Sequence, residues 1–190
     1  MDYTKDYLPY VKKMVKPKRY NHILGVVNEA IELAQIYGVS VDKARIAASL
    51  HDITKYLPDD EQVELITKTL GPDAIDDIPR GGLHAISGAI YARDYLGVDD
   101  TDIYNAIYNH TLGRPNMSAL EKIIYVSDFT EPSREAITSK TCKDLALNNL
   151  DKALLYAMTT VVNFLEESGQ YVPKVTYDAI KYYKELLNEQ

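Results

Sequence analysis

A single cysteine, Cys142, in 190 residues excludes an internal disulfide and a thiolate cage for a metal. Tryptophan is absent and phenylalanine occurs only twice, so the aromatic content rests on 16 tyrosines. Most of these, Tyr182 and Tyr183 among them, fall in amphipathic stretches as core or interface residues and identify no nucleobase. Basic excess is missing too: 21 Lys+Arg against 28 Asp+Glu leave a formal charge of −7. No global field therefore favours DNA or a phospholipid surface, no basic stripe marks a nucleic-acid module, and any phosphate binding has to be local. Nor is there a long apolar run at the start, because Met1 to Val15 mixes Asp2, Lys5, Asp6, Lys12 and Lys13 with its apolar residues. That pattern lacks a signal peptide or membrane span and leads us to expect a soluble, cytoplasmic protein.

What the chain does have is helical periodicity nearly throughout. Leu150, Ala153, Leu154, Ala157, Met158, Val161 and Leu165 recur at three and four residues, and no segment reads as a strand. Pro17 suits a first helical position, Ser40 and Thr101 suit N-caps, and Ser118 with Glu121 spells a capping box. Punctuation falls at Gly71-Pro72, Pro79 to Gly82, Leu112 to Asn116, Glu131-Pro132 and Ser168 to Pro173, none of it long enough for a linker. The expectation is an all-α bundle of roughly ten helices in one domain. Its core would span about residues 18–135, with helices from 136–190 completing the bundle.

The chain has four histidines, and each falls on the apolar side of an expected helix or at its edge. His22 shares a stripe with Val26 and Leu33; His51 follows Ala44, Ala47 and Ala48; His84 precedes Gly88 and Tyr91; His110 follows Ile103, Ala106 and Ile107. Two aspartates behave alike, Asp52 four residues beyond Ala48 and Asp128 four beyond Ile124. Burying an ionised carboxylate without a partner costs several kcal/mol at least, roughly, and a cation is one remedy. Imidazole with carboxylate suits Zn, Mn, Fe or Co, so the residues point to a first-row transition metal.

His22, His51-Asp52, His84, His110 and Asp128 reproduce the ordered H…HD…H…H…D signature, and the chain resembles the HD-domain phosphohydrolases. It is closer to the YqeK-type branch of symmetrical bis(5'-nucleosyl)-tetraphosphatases. That likeness rests on Arg19-Tyr20-Asn21-His22, His51-Asp52-Ile53-Thr54-Lys55, His110-Thr111 and Asp128-Phe129-Thr130-Glu131-Pro132-Ser133-Arg134, and extends over about residues 18–180. The resemblance implies an all-helical fold with one or two iron ions, and cleavage of diadenosine tetraphosphate to two ADP. It places His22, His51, Asp52 and Asp128 on the first metal, with Asp52 able to bridge to a second held by His84 and His110. With one metal, His84 and His110 would instead contact phosphate, and either could protonate the departing group.

Around this centre, Lys55 is within reach of a metal-bound phosphate. Arg134 suits bidentate phosphate contact or a pair with Glu131, and Arg19 suits a phosphate or a partner carboxylate, Asp52 or Asp128. Thr111 and Phe129 join the expected substrate wall through the resemblance. Gly169 to Pro173 leads to a last helix expected to be capped by Thr176, where free N–H groups could meet phosphate while Tyr171, beside Val172 and Pro173, stacks on a base. The expected catalytic set is Asp52, Lys55, His84 and His110, and the expected partners are a dinucleoside tetraphosphate and its ADP or GDP product. The alternatives are an HD-type hydrolase of nucleoside monophosphates or other nucleoside polyphosphates, and a non-catalytic nucleotide sensor. The complete ligand set and Lys55 argue against the sensor, while a homodimer is left open.

Overall fold

Pro17 needs no N–H bond and arrives with its φ already helical, so it opens the longest helix of the chain. In the computed structural model, which describes residues 2–188, ten α-helices and no strand are found among the described residues. They are α1 (Leu8–Met14), α2 (Pro17–Ile36), α3 (Val41–Leu50), α4 (Asp59–Leu70), α5 (Leu83–Asp94), α6 (Thr101–Tyr108), α7 (Ala119–Thr130), α8 (Ile137–Ala146), α9 (Leu150–Glu167) and α10 (Lys174–Asn188). Short 3-10 turns at Pro72–Ile75 and Arg80–Gly82 fill the passage from α4 to α5.

Local chemistry sets several of these boundaries as the sequence suggests. Ser40 accepts the Lys43 amide, and Ser118 and Glu121 exchange side-chain and backbone bonds in a full capping box. Two caps differ. Asp100, not Thr101, caps α6, because its carboxylate accepts two amides, those of Asp102 and Ile103. Thr176 does not cap α10, which begins two residues earlier at Lys174; its hydroxyl instead donates to the Leu112 carbonyl at 2.9 Å, a partner 64 residues away.

The helices that matter for the site pack around α3 and α7. Helix α2 lies against both, α6 touches both, and α5 joins the group through α6 and α3. The main core runs through Ile23, Leu33, Leu50, Ile103, Ile124 and Leu154, each almost fully withdrawn from water and each contributing roughly 1.5–3 kcal/mol. A smaller core of Ile66, Leu83, Ile86 and Ile90 seats α4 on α5. Helices α8, α9 and α10 cover the other side, where Tyr183 is buried and its hydroxyl accepts the Met117 amide at 2.9 Å. Helix α5 is buried all round from Leu83 to Ile90 instead of along one stripe, so His84 enters the interior at its first turn. No helix is long and apolar enough to cross a membrane among the described residues.

Candidate metal centre and substrate cleft

Each of the six His and Asp side chains is delivered by a different piece of this packing, apart from the adjacent pair His51-Asp52. His22 sits in the second turn of α2, the pair caps the end of α3, His84 opens α5, His110 follows α6, and Asp128 lies near the end of α7. The four histidines and Asp52 are buried, and Asp128 is half-buried. The structure brings all six together. Single donor atoms of His22, His51 and Asp128 lie within 4.8 Å of one another, as do those of His51, Asp52 and His110. His84 joins through its Nε2, 3.2 Å from Asp52 Oδ1 and 3.2 Å from His110 Nε2.

Hydrogen bonds on the far side of the rings decide what the near side offers. His51 Nδ1 donates to the Ala48 carbonyl at 2.7 Å, and His110 Nδ1 donates to the Ile107 carbonyl at 2.6 Å. A carbonyl can only accept, so the proton is held on Nδ1 and the Nε2 lone pair of each neutral ring is turned inward. His22 reaches the same end through a carboxylate, with Nδ1 3.0 Å from Glu131 Oε1. The buried Nε2 atoms of His22 and His51 have no hydrogen-bond partner among the described residues. His22 Nε2 lies 3.0 Å from Asp128 Oδ1, but without the alignment of a hydrogen bond. Lone pairs of nitrogen and carboxylate oxygen facing one another in a buried space call for a cation, and this donor set fits a transition metal.

Electrostatics keep the carboxylates charged. Burial alone would raise Asp52, but the neighbouring His51 and His84 hold it well below the usual carboxylate range; Asp128 is likewise lowered, against its burial, by the His22 contact. Burial pushes His110 down to about 3, which favours the neutral ring. Arg19 Nη1 donates to Asp52 Oδ2 at 2.9 Å, the partner role expected of it. Arg134 does not principally pair with Glu131, which stays 4.0 Å from its Nε; it donates instead to the Asp128 carbonyl at 2.9 Å and to Oδ1 at 3.0 Å. Lys55 Nζ rests 3.1 Å from His84 Nε2, and burial lowers its pKa.

Glu131, expected only as a partner for Arg134, instead supports His22. It is buried, accepts from His22, and is itself held by the amide and hydroxyl of Ser133. A Cβ on Gly25, one turn along α2 from His22, would meet Glu131 Oε2 at 2.6 Å, so the glycine makes room for this carboxylate. The signal in the sequence was an acid placed three residues after Asp128, directly before a proline.

Two kinds of cleft approach the cluster. A cavity of about 360 Å³, with Lys18, Arg19, Tyr56, Ser133 and Arg134 around it, has His22 and Glu131 in its wall. A second cavity, of about 230 Å³, touches His110, Thr111, Asp128, Phe129 and Arg134. Through Thr111 and Val161 it adjoins one of about 220 Å³ that reaches Tyr171, Val172, Pro173 and Thr176. The expected wall residues thus line connected space, but not all as anticipated. The Tyr171 hydroxyl donates to Asp77, and the Lys174 amide donates to the same carboxylate at 3.0 Å. The Thr176 amide donates to Pro173, so the start of α10 has little free N–H left for phosphate. The Thr111 hydroxyl is buried without a partner among the described residues.

Comparison with known proteins places the chain. A Halalkalibacterium halodurans protein named Bis(5'-nucleosyl)-tetraphosphatase, symmetrical, is 37% identical over 183 residues, covering 96% of each chain. A Bacillus subtilis protein of the same name is 39% identical over 165 residues, covering 87% of this chain and 89% of its own. The crystal structure titled as a predicted HD superfamily hydrolase involved in NAD metabolism from Clostridium acetobutylicum superposes with a TM-score of 0.89 at 38% identity, covering 98% of both chains. Residues 19–133 match the family model described as HD domain, a stretch that begins at the arginine paired with Asp52 and takes in every side chain of the cluster. By that match, and by likeness over nearly its full length, the chain belongs to the HD domain family.

Proposed function

We propose that this protein is a metal-dependent hydrolase that splits diadenosine tetraphosphate, or a related dinucleoside tetraphosphate, symmetrically into two nucleoside diphosphates. The observation that carries the reading is a buried His/Asp cluster with inward Nε2 lone pairs, in a chain 37% identical over 96% of its length to a protein named for that reaction. His22, His51, Asp52 and Asp128 would hold the first ion. Asp52 has Oδ2 beside Arg19 and His51 and Oδ1 beside His84, and with His84 and His110 it would also hold a second ion. Iron is the metal we favour, on the nitrogen–oxygen donor set and the resemblance.

A metal ion bound there supplies Lewis acidity, polarising a phosphoryl oxygen and lowering the pKa of water. The chain's own residues do the rest. Lys55, beside His84, and Arg134, beside Asp128, meet the phosphate charge, and Arg19 holds Asp52 in place. The bond from His110 Nδ1 to Ile107 leaves its Nε2, 3.2 Å from His84 Nε2, as an acceptor, and a phosphate oxygen also only accepts, so metal ligation suits this residue better than phosphate contact. Water oxygen bonds to one of the two central phosphorus atoms, and the bond from that phosphorus to the central bridging oxygen breaks. The electron pair stays with the departing diphosphate and the proton goes to solvent. The −7 charge supports a small-molecule partner over a nucleic acid, and we place the enzyme in the cytoplasm with its nucleotide substrate.

Single-turnover hydrolysis of diadenosine tetraphosphate in oxygen-18 water tests the reading. Two ADP are expected, with label on a terminal phosphate of one of them. ATP plus AMP would contradict it, as would no turnover of any dinucleoside polyphosphate.

A further inference from the structure

Clefts of opposite character adjoin the cluster. The one reaching Leu112, Val161, Leu165 and Val172 is walled largely by apolar side chains and suits an enclosed base. The other carries Lys18, Arg19 and Arg134 around about 360 Å³, a size within the roughly 300–1,000 Å³ of small-molecule sites. Its one acid, Glu131, is buried and engaged by His22 and Ser133. In a chain of net charge −7, three cations around one cleft run against the overall balance. Arg19 and Arg134 are committed to Asp52 and Asp128, but Lys18 is exposed and pairs with no carboxylate among the described residues. Tyr56 stays 41% exposed at the same cleft, with Lys16 Nζ 4.8 Å from its ring centroid. Arg134 borders both the cationic cleft and the cavity that touches His110 and Asp128, so a chain of phosphates running past it would pass from one cleft to the other.

We infer that the cationic cleft is the subsite for the departing nucleoside diphosphate, with Lys18 on its phosphates and Tyr56 stacked on its base. This rests on the functional reading above and adds the place of the second half of the substrate. Arg134, between the halves, then touches the phosphate that stays and the phosphate that leaves. An open wall with one aromatic tolerates any base, since every base offers a π-face.

The test compares two substrates on metal-loaded enzyme: diadenosine tetraphosphate, and adenosine 5'-tetraphosphate, which lacks the second nucleoside. In Tyr56→Ala, the ratio of kcat/KM for the first over the second is expected to fall about tenfold, the scale of one lost base–aromatic stack. Lys18→Glu is expected to raise KM for diadenosine tetraphosphate several-fold, while ADP, binding first in the apolar cleft, keeps its affinity within about twofold by calorimetry. That calorimetric arm also reports whether each variant is folded. An unchanged substrate ratio in folded Tyr56→Ala, or equal losses on both substrates, overturns the inference and leaves the functional reading standing. Wild-type enzyme inert on diadenosine tetraphosphate overturns both.

Discussion

The metal cluster and the clefts that lead to it are built on opposite plans. In the cluster, His22, His51, His84 and His110 are all buried, and three of the four are aimed by a bond from Nδ1 to a fixed acceptor. The clefts are walled in part by exposed side chains such as Tyr56, Tyr171, Lys18 and Arg134, of which only Lys18 lies in a helix. A site that must hold an ion at fixed distances is pre-organised inside the core, whereas a site that must admit and release a long anion is left at the surface. Errors in the first should abolish chemistry, and errors in the second should tune it.

Asp52→Ala removes the carboxylate that faces both halves of the cluster and should produce the largest loss. Its kcat should fall by more than the roughly 10–100-fold that changes around a ligand cost, together with metal content. Steady-state kinetics with elemental analysis would check this, and normal rate and metal content would erase the distinction between the two regions. Glu131→Ala leaves every proposed ligand in place but frees the His22 ring, so metal affinity should drop roughly 10–100-fold in a competition titration. Unchanged affinity would mean that the carboxylate only packs.

Lys55→Ala should act mainly on the phosphate chain, raising KM about tenfold while kcat moves less. A loss confined to kcat would move Lys55 into the chemistry proper. The smallest effect expected lies far from both regions. Tyr183→Phe leaves the buried Met117 amide without its acceptor, which should cost about 1–3 kcal/mol in denaturant unfolding, with metal content unchanged.

The same contrast governs how much could be read from the sequence. Helix starts set by neighbours a few residues away, at Pro17, Ser40 and Ser118, were legible because the bonds are local. So was the gathering of the six His and Asp residues, since each interrupts an apolar stripe and had to face inward. Asp100 was missed as a cap because Thr101 beside it is also a fair cap, and only geometry separates adjacent candidates. Thr176 was misread because its partner is the Leu112 carbonyl, which no short window contains. The contact of Arg134 with Asp128 was not foreseen for a related reason: the turn after α7 folds it back onto Asp128 while Glu131 turns inward to His22. Lys18 and Tyr56 carry no local signal at all, being a charged residue and an aromatic that any solvated helix end could hold.

The central claim is that the His/Asp cluster holds the ion on which hydrolysis depends, and titration of chelator-treated protein with ferrous iron tests it most directly. Bound metal would be counted by elemental analysis while diadenosine tetraphosphate turnover is followed on the same samples. The account predicts that activity is absent at the start and rises in step with one or two equivalents of metal, and that Asp52→Ala recovers neither. Full turnover in wild-type protein stripped of metal would contradict it.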